Sequence, residues 1–415
     1  MHKSFNFEDK KFVVYGLGLT GKSVIKFLKK NKANNIYVWD DHLNNSIIQK
    51  KKFKEKLLTA DHLILSPGIN INKSEFKNLI IKNREKILSD LDLFFLKYNV
   101  NRSIVITGTN GKSTTCSIIH HVFNKNNIKA KLAGNIGAPI LEMKFKKQVI
   151  YIIEASSFQL EYSKFVKPYC AAILNITDDH LDWHGTKNKY IKSKFKIFKN
   201  QTKEDIALIN DLNLKKIYFK KKYLAKLRFI KKKPLIANYI NNEYLKLDVN
   251  KDNLIFAYNV SKIFKIKKNN FFKSLISFNG LSHRQEKFLK FKKYTFINDS
   301  KATSFEATQS ALNSNKKIIW ILGGKPKKND KFFLKKYKNK ILKAYIIGRN
   351  SKHFIKQLKN YVKFEVIKDL KNVIKRIFQS YNKNIETTVL LSPASASYDQ
   401  FKNFEDRGEK FKKYV

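Results

Sequence analysis

The run Ile106-Thr107-Gly108-Thr109-Asn110-Gly111-Lys112-Ser113-Thr114 holds the residue types of a phosphate cradle. Glycines let backbone N–H groups approach an anion, a lysine bridges the outer phosphates, and a hydroxyl completes a Mg²⁺ shell. The full P-loop pattern asks for glycine five residues before Gly111, where Ile106 stands, so this is a variant that binds ATP or else a plain glycine-rich turn. A second turn, Gly16-Leu17-Gly18-Leu19-Thr20-Gly21, is followed 24 residues after Gly16 by Asp40, as a pyrophosphate-binding turn with an acid for a ribose or base would be. A redox dinucleotide, another nucleotide and a purely structural turn all fit it. Glu154 closes an apolar run, where it can hold Mg²⁺ or simply cap or salt-bridge. Asp178, Asp179, His180, Asp182 and His184 crowd one segment that suits metal ligation or proton transfer, and equally a solvated polar loop. Towards the end come Ser282 to Glu286, Asn298 to Thr303, Gly323 to Lys327 and Ser392 to Gly408, each rich in polar groups at an element boundary.

Parallel strands must carry these clusters. Lys11–Tyr15, Ile36–Trp39, Ser103–Thr107, Val149–Ile153 and Ala171–Leu174 read as strands, the last two apolar without alternation, as in sheets covered on both faces. Tyr294–Ile297, Lys317–Leu322, Ala344–Ile347 and Thr387–Leu391 continue the alternation with helices, and a last helix is expected from about Tyr398, capped by the small hydroxyl residues before it. The fold class is α/β in three domains, each a mainly parallel sheet flanked by helices. They are residues 1–98 (Rossmann-like), 99–280 (P-loop-type) and 281–415 (Rossmann-like).

Among 415 residues, 43 % are hydrophobic, which excludes wholesale disorder. Two cysteines, Cys116 and Cys170, exclude a disulfide scaffold and fit a reducing compartment. With no long apolar run and no apolar leader, a cytoplasmic protein without a membrane span is expected. The formal charge of +52 suggests an anionic partner, yet only 7 of 85 basic residues are Arg, and Lys, Asn, Ile, Phe and Tyr are all favoured by AT-rich codons. The densest stretch, Lys215 to Lys233, reads as a solvated lysine face with its aromatics turned inward rather than an RNA surface.

Taken in order, these motifs resemble the Mur ligase family, the ATP-dependent amino-acid ligases of peptidoglycan synthesis. The loop Gly108–Thr114, the turn Gly134-Asn135-Ile136-Gly137, Glu154 with Ser156 to Leu160, and Asp179-His180 carry the resemblance. The first glycine turn, Ser66-Pro67-Gly68-Ile69, Asn298 to Thr303 and Ser392 to Phe404 resemble the member that adds D-glutamate to UDP-N-acetylmuramoyl-L-alanine.

The resemblance implies a bacterial, cytoplasmic, monomeric enzyme that uses ATP and two Mg²⁺ ions. It makes the first turn a UDP site, with Gly18, Leu19, Thr20, Asp40 and Ser66 at the nucleotide and Asn135, Ser156 and His180 at the muramoyl part. Gly108, Thr109, Asn110, Gly111, Lys112, Ser113 and Thr114, with Arg284, Asp299 and Lys301, would hold ATP. Ser113, Glu154, His180 and a carbamylated Lys194 would hold metal; Lys112, His180 and Lys194 would be catalytic; Thr303, Lys327, Ser397 and Phe404 would receive D-glutamate. Asp41 and His42 stand where the family often has Thr or Ser and then Arg, Trp183 where Arg is common, and Ser193 where Ala is. The alternatives are another amino-acid specificity within the family, an NAD-dependent oxidoreductase, and a basic RNA-binding protein.

Overall fold

The computed structural model describes residues 5–43, 46–98, 100, 102–136, 138–231, 240, 242–327, 330–380 and 384–415. Gly137 of the third glycine turn, and Lys232 and Lys233 of the basic stretch, lie outside the described residues. The chain divides into two compact units, Met1–Phe278 and Asn279–Val415.

The first unit holds two parallel sheets. β1 (Lys11–Tyr15), β2 (Asn35–Trp39), β3 (His62–Leu65) and β4 (Ile87–Leu88) lie in the order β2-β1-β3-β4. β5 (Ser103–Thr107), β6 (Ala130–Gly134), β7 (Ile150–Glu154), β8 (Cys170–Ile173), β9 (Ile206–Ile209) and β10 (Lys226–Phe229) follow in the order β10-β9-β8-β5-β7-β6. Every residue of β5, β7 and β8 is buried, which is why their sequences show no polar alternation. β7 and β8 each differ by one residue from the expected spans: Glu154 is itself the last ladder residue of β7, opposite Gly134, and Cys170 opens β8. The two sheets share a core, in which Phe94 of helix Asp90–Lys97 meets Tyr151 of β7 at 5.3 Å between ring centres. Cys116 and Cys170 are free and buried.

The second unit is a six-stranded sheet. β11 (Glu286–Phe291), β12 (Tyr294–Asn298), β13 (Ile318–Gly323), β14 (Ile341–Ile347), β15 (Phe364–Val366) and β16 (Thr387–Leu391) lie in the order β11-β12-β16-β13-β14-β15. All neighbours are parallel except β11, which turns back as a hairpin on β12. The last helix spans Phe404–Tyr414, not a stretch from Tyr398. Asn403, rather than the small hydroxyl residues, caps it, accepting from Asp406 N at 2.7 Å. Residues 397–401 are used in a turn on the Ser397 carbonyl, which accepts from Gln400 N and Phe401 N.

Except for Ser282 to Glu286, which leads into β11, the polar clusters fall at the carboxyl ends of parallel strands, the usual place for ligand-facing loops. Among the described residues no helix is long and apolar enough to cross a membrane.

Candidate active site

At the end of β5 the chain turns through Gly108–Gly111 into helix Lys112–Lys125. Gly111 is left-handed (φ +85°), and a Cβ there would lie 2.1 Å from Asn253 Oδ1. Only glycine makes that turn without strain. Asn175, just beyond β8, clamps the loop: its carbonyl accepts from Thr109 N at 2.9 Å, its Oδ1 accepts from Asn110 N at 2.8 Å, and its Nδ2 donates to Asn110 O at 3.1 Å. Thr109 Oγ1 pairs with Tyr190 OH at 3.0 Å. Ser113 and Thr114 are buried in the first turn of the helix, whose positive end favours an anion.

Two lysines reach this loop. Lys112 Nζ donates to Gly108 O and Thr109 O at 3.0 and 2.8 Å. Lys194, in helix Lys187–Phe195, donates to Gly108 O at 2.8 Å. Burial first, and then the Lys112 charge, push Lys194 well below the ordinary lysine range. A lowered lysine pKa raises the share of the neutral form, which is the nucleophilic one.

Glu154 is buried at the end of β7. Asn135 Nδ2 donates to its Oε1 at 3.1 Å, while its Oε2 has no hydrogen-bond partner among the described residues. A buried carboxylate oxygen left open is costly unless something positive reaches it. A carboxylate, with a hydroxyl such as that of Ser113, offers the hard oxygen chemistry that suits Mg²⁺, which takes few protein ligands and keeps water and phosphate oxygens. Among the described residues, no group of three or more His, Cys, Asp or Glu could hold a metal.

The Asp–His segment does not converge as one cluster. Asp178 pairs with Lys187 at the surface at 2.7 Å, and Asp182 is exposed. His184 turns inward to Ser157 Oγ at 3.0 Å, and burial lowers its pKa to about 4. His180 is left-handed (φ 54°), 3.3 Å from the Asp179 carboxylate, with its ring 4.6 Å from that of Phe158. Ser156 caps helix Ser157–Tyr162: its hydroxyl donates to Gln159 Oε1 and accepts from Gln159 N.

At the first sheet, a Cβ on Gly21 would lie 1.9 Å from Gly16 O, so this glycine lets helix Leu19–Lys30 pack on the turn. Ser66 Oγ donates to Gly16 O at 2.7 Å. The Asp40 carboxylate accepts from Leu17 N at 2.7 Å and His42 N at 3.0 Å, closing the turn, while Gly18 and Leu19 are exposed and Thr20 half-buried beside it. Asp41 is held by Tyr15 OH and by Trp39 Nε1 at 2.8 Å.

In the second unit, Asp299 follows β12, accepting from Ser392 Oγ at 2.7 Å and Gln285 N at 3.1 Å. Burial raises its carboxyl to about 7, against the lowering effect of these bonds and of Arg284 and Arg407. Lys301 Nζ lies 4.7 Å from the centre of the Phe404 ring, a cation–π contact. Ser397 is buried, Thr303 half-buried and Lys327 exposed.

Comparison with known proteins follows the same order. The family model "Mur ligase MurD-like, N-terminal domain" matches residues 10–87, and "Mur ligase middle domain" matches residues 106–280. A UDP-N-acetylmuramoylalanine--D-glutamate ligase of Rickettsia prowazekii is 36 % identical over 438 residues, covering 98 % of this chain and 97 % of that protein. The chain belongs to the Mur ligase family. A ligase of the same name from Wolbachia pipientis wMel is 31 % identical, covering 98 % of this chain and 96 % of that one. Among solved structures, the MurF ligase of Thermotoga maritima in complex with ADP superposes with a TM-score of 0.60 at 17 % identity, covering 100 % of this chain and 97 % of that one. The UDP-N-acetylmuramate-alanine ligase of the same organism gives 0.58 at 16 %, covering 97 % and 98 %.

This Mur ligase also uses residues that the sequence did not single out. Tyr190 and Asn175 bond to the Gly108–Gly111 loop, and Asn253 accepts from Thr115 Oγ1 at 3.2 Å in the helix that follows it. Arg407, fully buried in the last helix, donates to Ser300 Oγ at 3.0 Å, Ser300 O at 2.8 Å and Ser395 O at 3.0 Å, tying two strand-end loops together.

Proposed function

We propose that this Mur ligase adds D-glutamate to UDP-N-acetylmuramoyl-L-alanine with ATP, in the synthesis of peptidoglycan precursors in the bacterial cytoplasm. The observation that carries the specific reaction is the near-full-length identity with ligases of that name. The strand-end loop carrying Lys112, with the open Glu154 oxygen at the end of the neighbouring strand β7, supports the reaction class.

A carboxylate is a poor electrophile, so it must first be activated. An oxygen of the L-alanyl carboxylate attacks the γ-phosphorus, ADP leaves, and an acyl phosphate forms. The D-glutamate amine then attacks the acyl carbon, the C–O bond to phosphate breaks, phosphate leaves, and the amine gives up a proton. Two anions must meet for the first step. In our reading Lys112, the loop Gly108, Thr109, Asn110 and Gly111, and the helix N-terminus hold the triphosphate, with Ser113 and Thr114 in the first turn. Mg²⁺, when bound, adds positive charge at the phosphates; Ser113, Glu154, His180 and Lys194 would hold it, Lys194 after its neutral amine takes up CO₂ as a carbamate. Gly18, Leu19, Thr20, Asp40 and Ser66 are assigned to the UDP group, and Asn135, Ser156 and His180 to the muramoyl-alanyl part. Arg284, Asp299 and Lys301 are assigned to ATP, and Thr303, Lys327, Ser397 and Phe404 to D-glutamate.

The test is phosphate release from ATP and Mg²⁺ with UDP-N-acetylmuramoyl-L-alanine, adding D-glutamate, L-glutamate, L-alanine or a diamino acid in turn. Release that needs both the UDP substrate and D-glutamate is expected. Release with another amino acid instead would move the specificity within the family.

A further inference from the structure

Asp90 is a fully buried carboxylate with no ion-pair partner among the described residues, in the first turn of helix Asp90–Lys97. Its two oxygens accept from Gln159 Nε2 at 3.2 and 3.0 Å. The other end of the Gln159 amide, Oε1, accepts from both Ser156 N and Ser156 Oγ at 3.1 Å. Gln159 therefore has one orientation only: its NH₂ must face Asp90 and its oxygen must face Ser156. That orientation holds the turn from Glu154 to Ser157, which leaves β7 at the phosphate loop. Asp90 comes from the end of the first sheet's segment, so the turn is fixed from outside the sheet that carries it.

We propose that Asp90 is a positioning residue for the ligase reaction, acting through the Gln159 amide to set the Glu154–Ser157 turn. The inference rests on the ligase reading for its assay. The groups that bond to Asp90 are all donors: Gln159 Nε2 and the backbone N–H groups of its own helix turn. A carboxylate, which only accepts, satisfies them all; an amide in its place aims an NH₂ at one of these donors. Turning Gln159 over to relieve that clash puts its NH₂ against Ser156 N and breaks the cap.

The neighbouring contacts explain why a docking role alone is already provided for. Asp92 accepts from Lys164 N and Phe165 N at 2.9 and 2.7 Å, and Ser89 Oγ pairs with Ser163 Oγ at 2.7 Å. These hold the helix to the second sheet without Asp90.

The experiment compares Asp90→Asn, Asp90→Asn with Gln159→Glu, and Asp90→Leu with Gln159→Met, reading kcat, KM for the UDP substrate, and Tm. In the exchanged pair, the amide introduced at position 90 donates to the carboxylate introduced at position 159. The other oxygen of that carboxylate still accepts from Ser156, so a complementary polarity returns. Asp90→Asn is expected to lower kcat about 10- to 100-fold, an estimate from the loss expected when a reacting group is displaced by about 1 Å. KM should change less, and the exchanged pair should recover most of the loss. The apolar pair removes the Asp90–Gln159 bond outright but leaves Ser156 N and the helix-turn N–H groups without their side-chain acceptors, so its Tm should fall, and kcat read well below that Tm should stay low. An apolar pair with near-normal kcat would overturn the proposal, even if Asp90→Asn fails to fold. A low kcat in the exchanged pair that simply tracks its Tm would also overturn it. Wild-type turnover tests the ligase reading itself, and the variant-to-wild-type ratio tests Asp90.

Discussion

Lys112 and Lys194 meet on one backbone oxygen: Gly108 O accepts from Nζ of the first at 3.0 Å and of the second at 2.8 Å. Two ammonium groups this close repel, which favours loss of a proton at the buried one. Lys112 sits half-exposed at a helix start, whereas Lys194 is 1 % exposed and is driven towards the neutral form. The pair thus sets a half-exposed lysine at the helix start beside a buried one whose charged form is disfavoured.

Lys112→Ala should cut kcat by ~10³-fold or more, by analogy with loss of a preorganised oxyanion contact. The check is phosphate release under saturating substrates. Near-normal turnover would count against the assignment of Lys112 to the triphosphate.

Lys194, whose charged form is disfavoured by burial, should take up ¹³C-labelled CO₂ and show a carbamate carbon signal that is missing in Lys194→Ala. A wild-type spectrum without that signal at saturating bicarbonate would remove the carbamate from the metal site.

Gly111→Ala places a side chain at φ +85°, against Asn253 Oδ1. Strain of ~1–3 kcal/mol is expected. Calorimetry should show a lower Tm, and titration with ATP a weaker Kd. Unchanged ATP affinity would mean that the loop tolerates a shift.

Asp299 titrates at about 7 in the folded unit, above the ordinary aspartate value. The folded state therefore binds more protons than the unfolded chain between about pH 4 and 7, and this group's contribution to stability falls as pH rises through that window. Asp299→Asn abolishes the titration, so Tm of the variant relative to the wild type should be higher at pH 8 than at pH 5. A difference that does not vary with pH would place the Asp299 carboxyl in the ordinary range.

Lys220, Lys221 and Lys222 are exposed, and changing all three to Gln should leave ligase turnover intact. A large fall would give the basic stretch a role in catalysis.

The turn Gly108–Gly111 between a strand and a helix was legible because glycines at that spacing, after an apolar run, mark a strand-to-helix turn locally. So were the strands Lys11–Tyr15, Ser103–Thr107 and Thr387–Leu391, whose spans coincide with β1, β5 and β16. Asn253 and Arg407 were not, since each acts on a loop more than a hundred residues away in the chain, and a single polar residue in a helix has no local signature. The hydroxyls of Ser392 to Ser397 misled about the last helix because turn and cap use the same residue types. In the basic stretch Tyr218 does turn inward, but Phe219 is 58 % exposed; composition cannot distinguish adjacent positions on a short helix.

The shared core of the first unit bears on how the chain folds as it is made. Phe94 and Val14 belong to one apolar cluster with Tyr151, Phe195 and Tyr218, residues that emerge from the ribosome much later. The four-stranded sheet at the start thus has part of its interior still untranslated when its own last strand appears. The nascent segment must wait, exposed, until well past β7 is synthesised, whereas residues 279–415 carry their own apolar clusters and close on themselves.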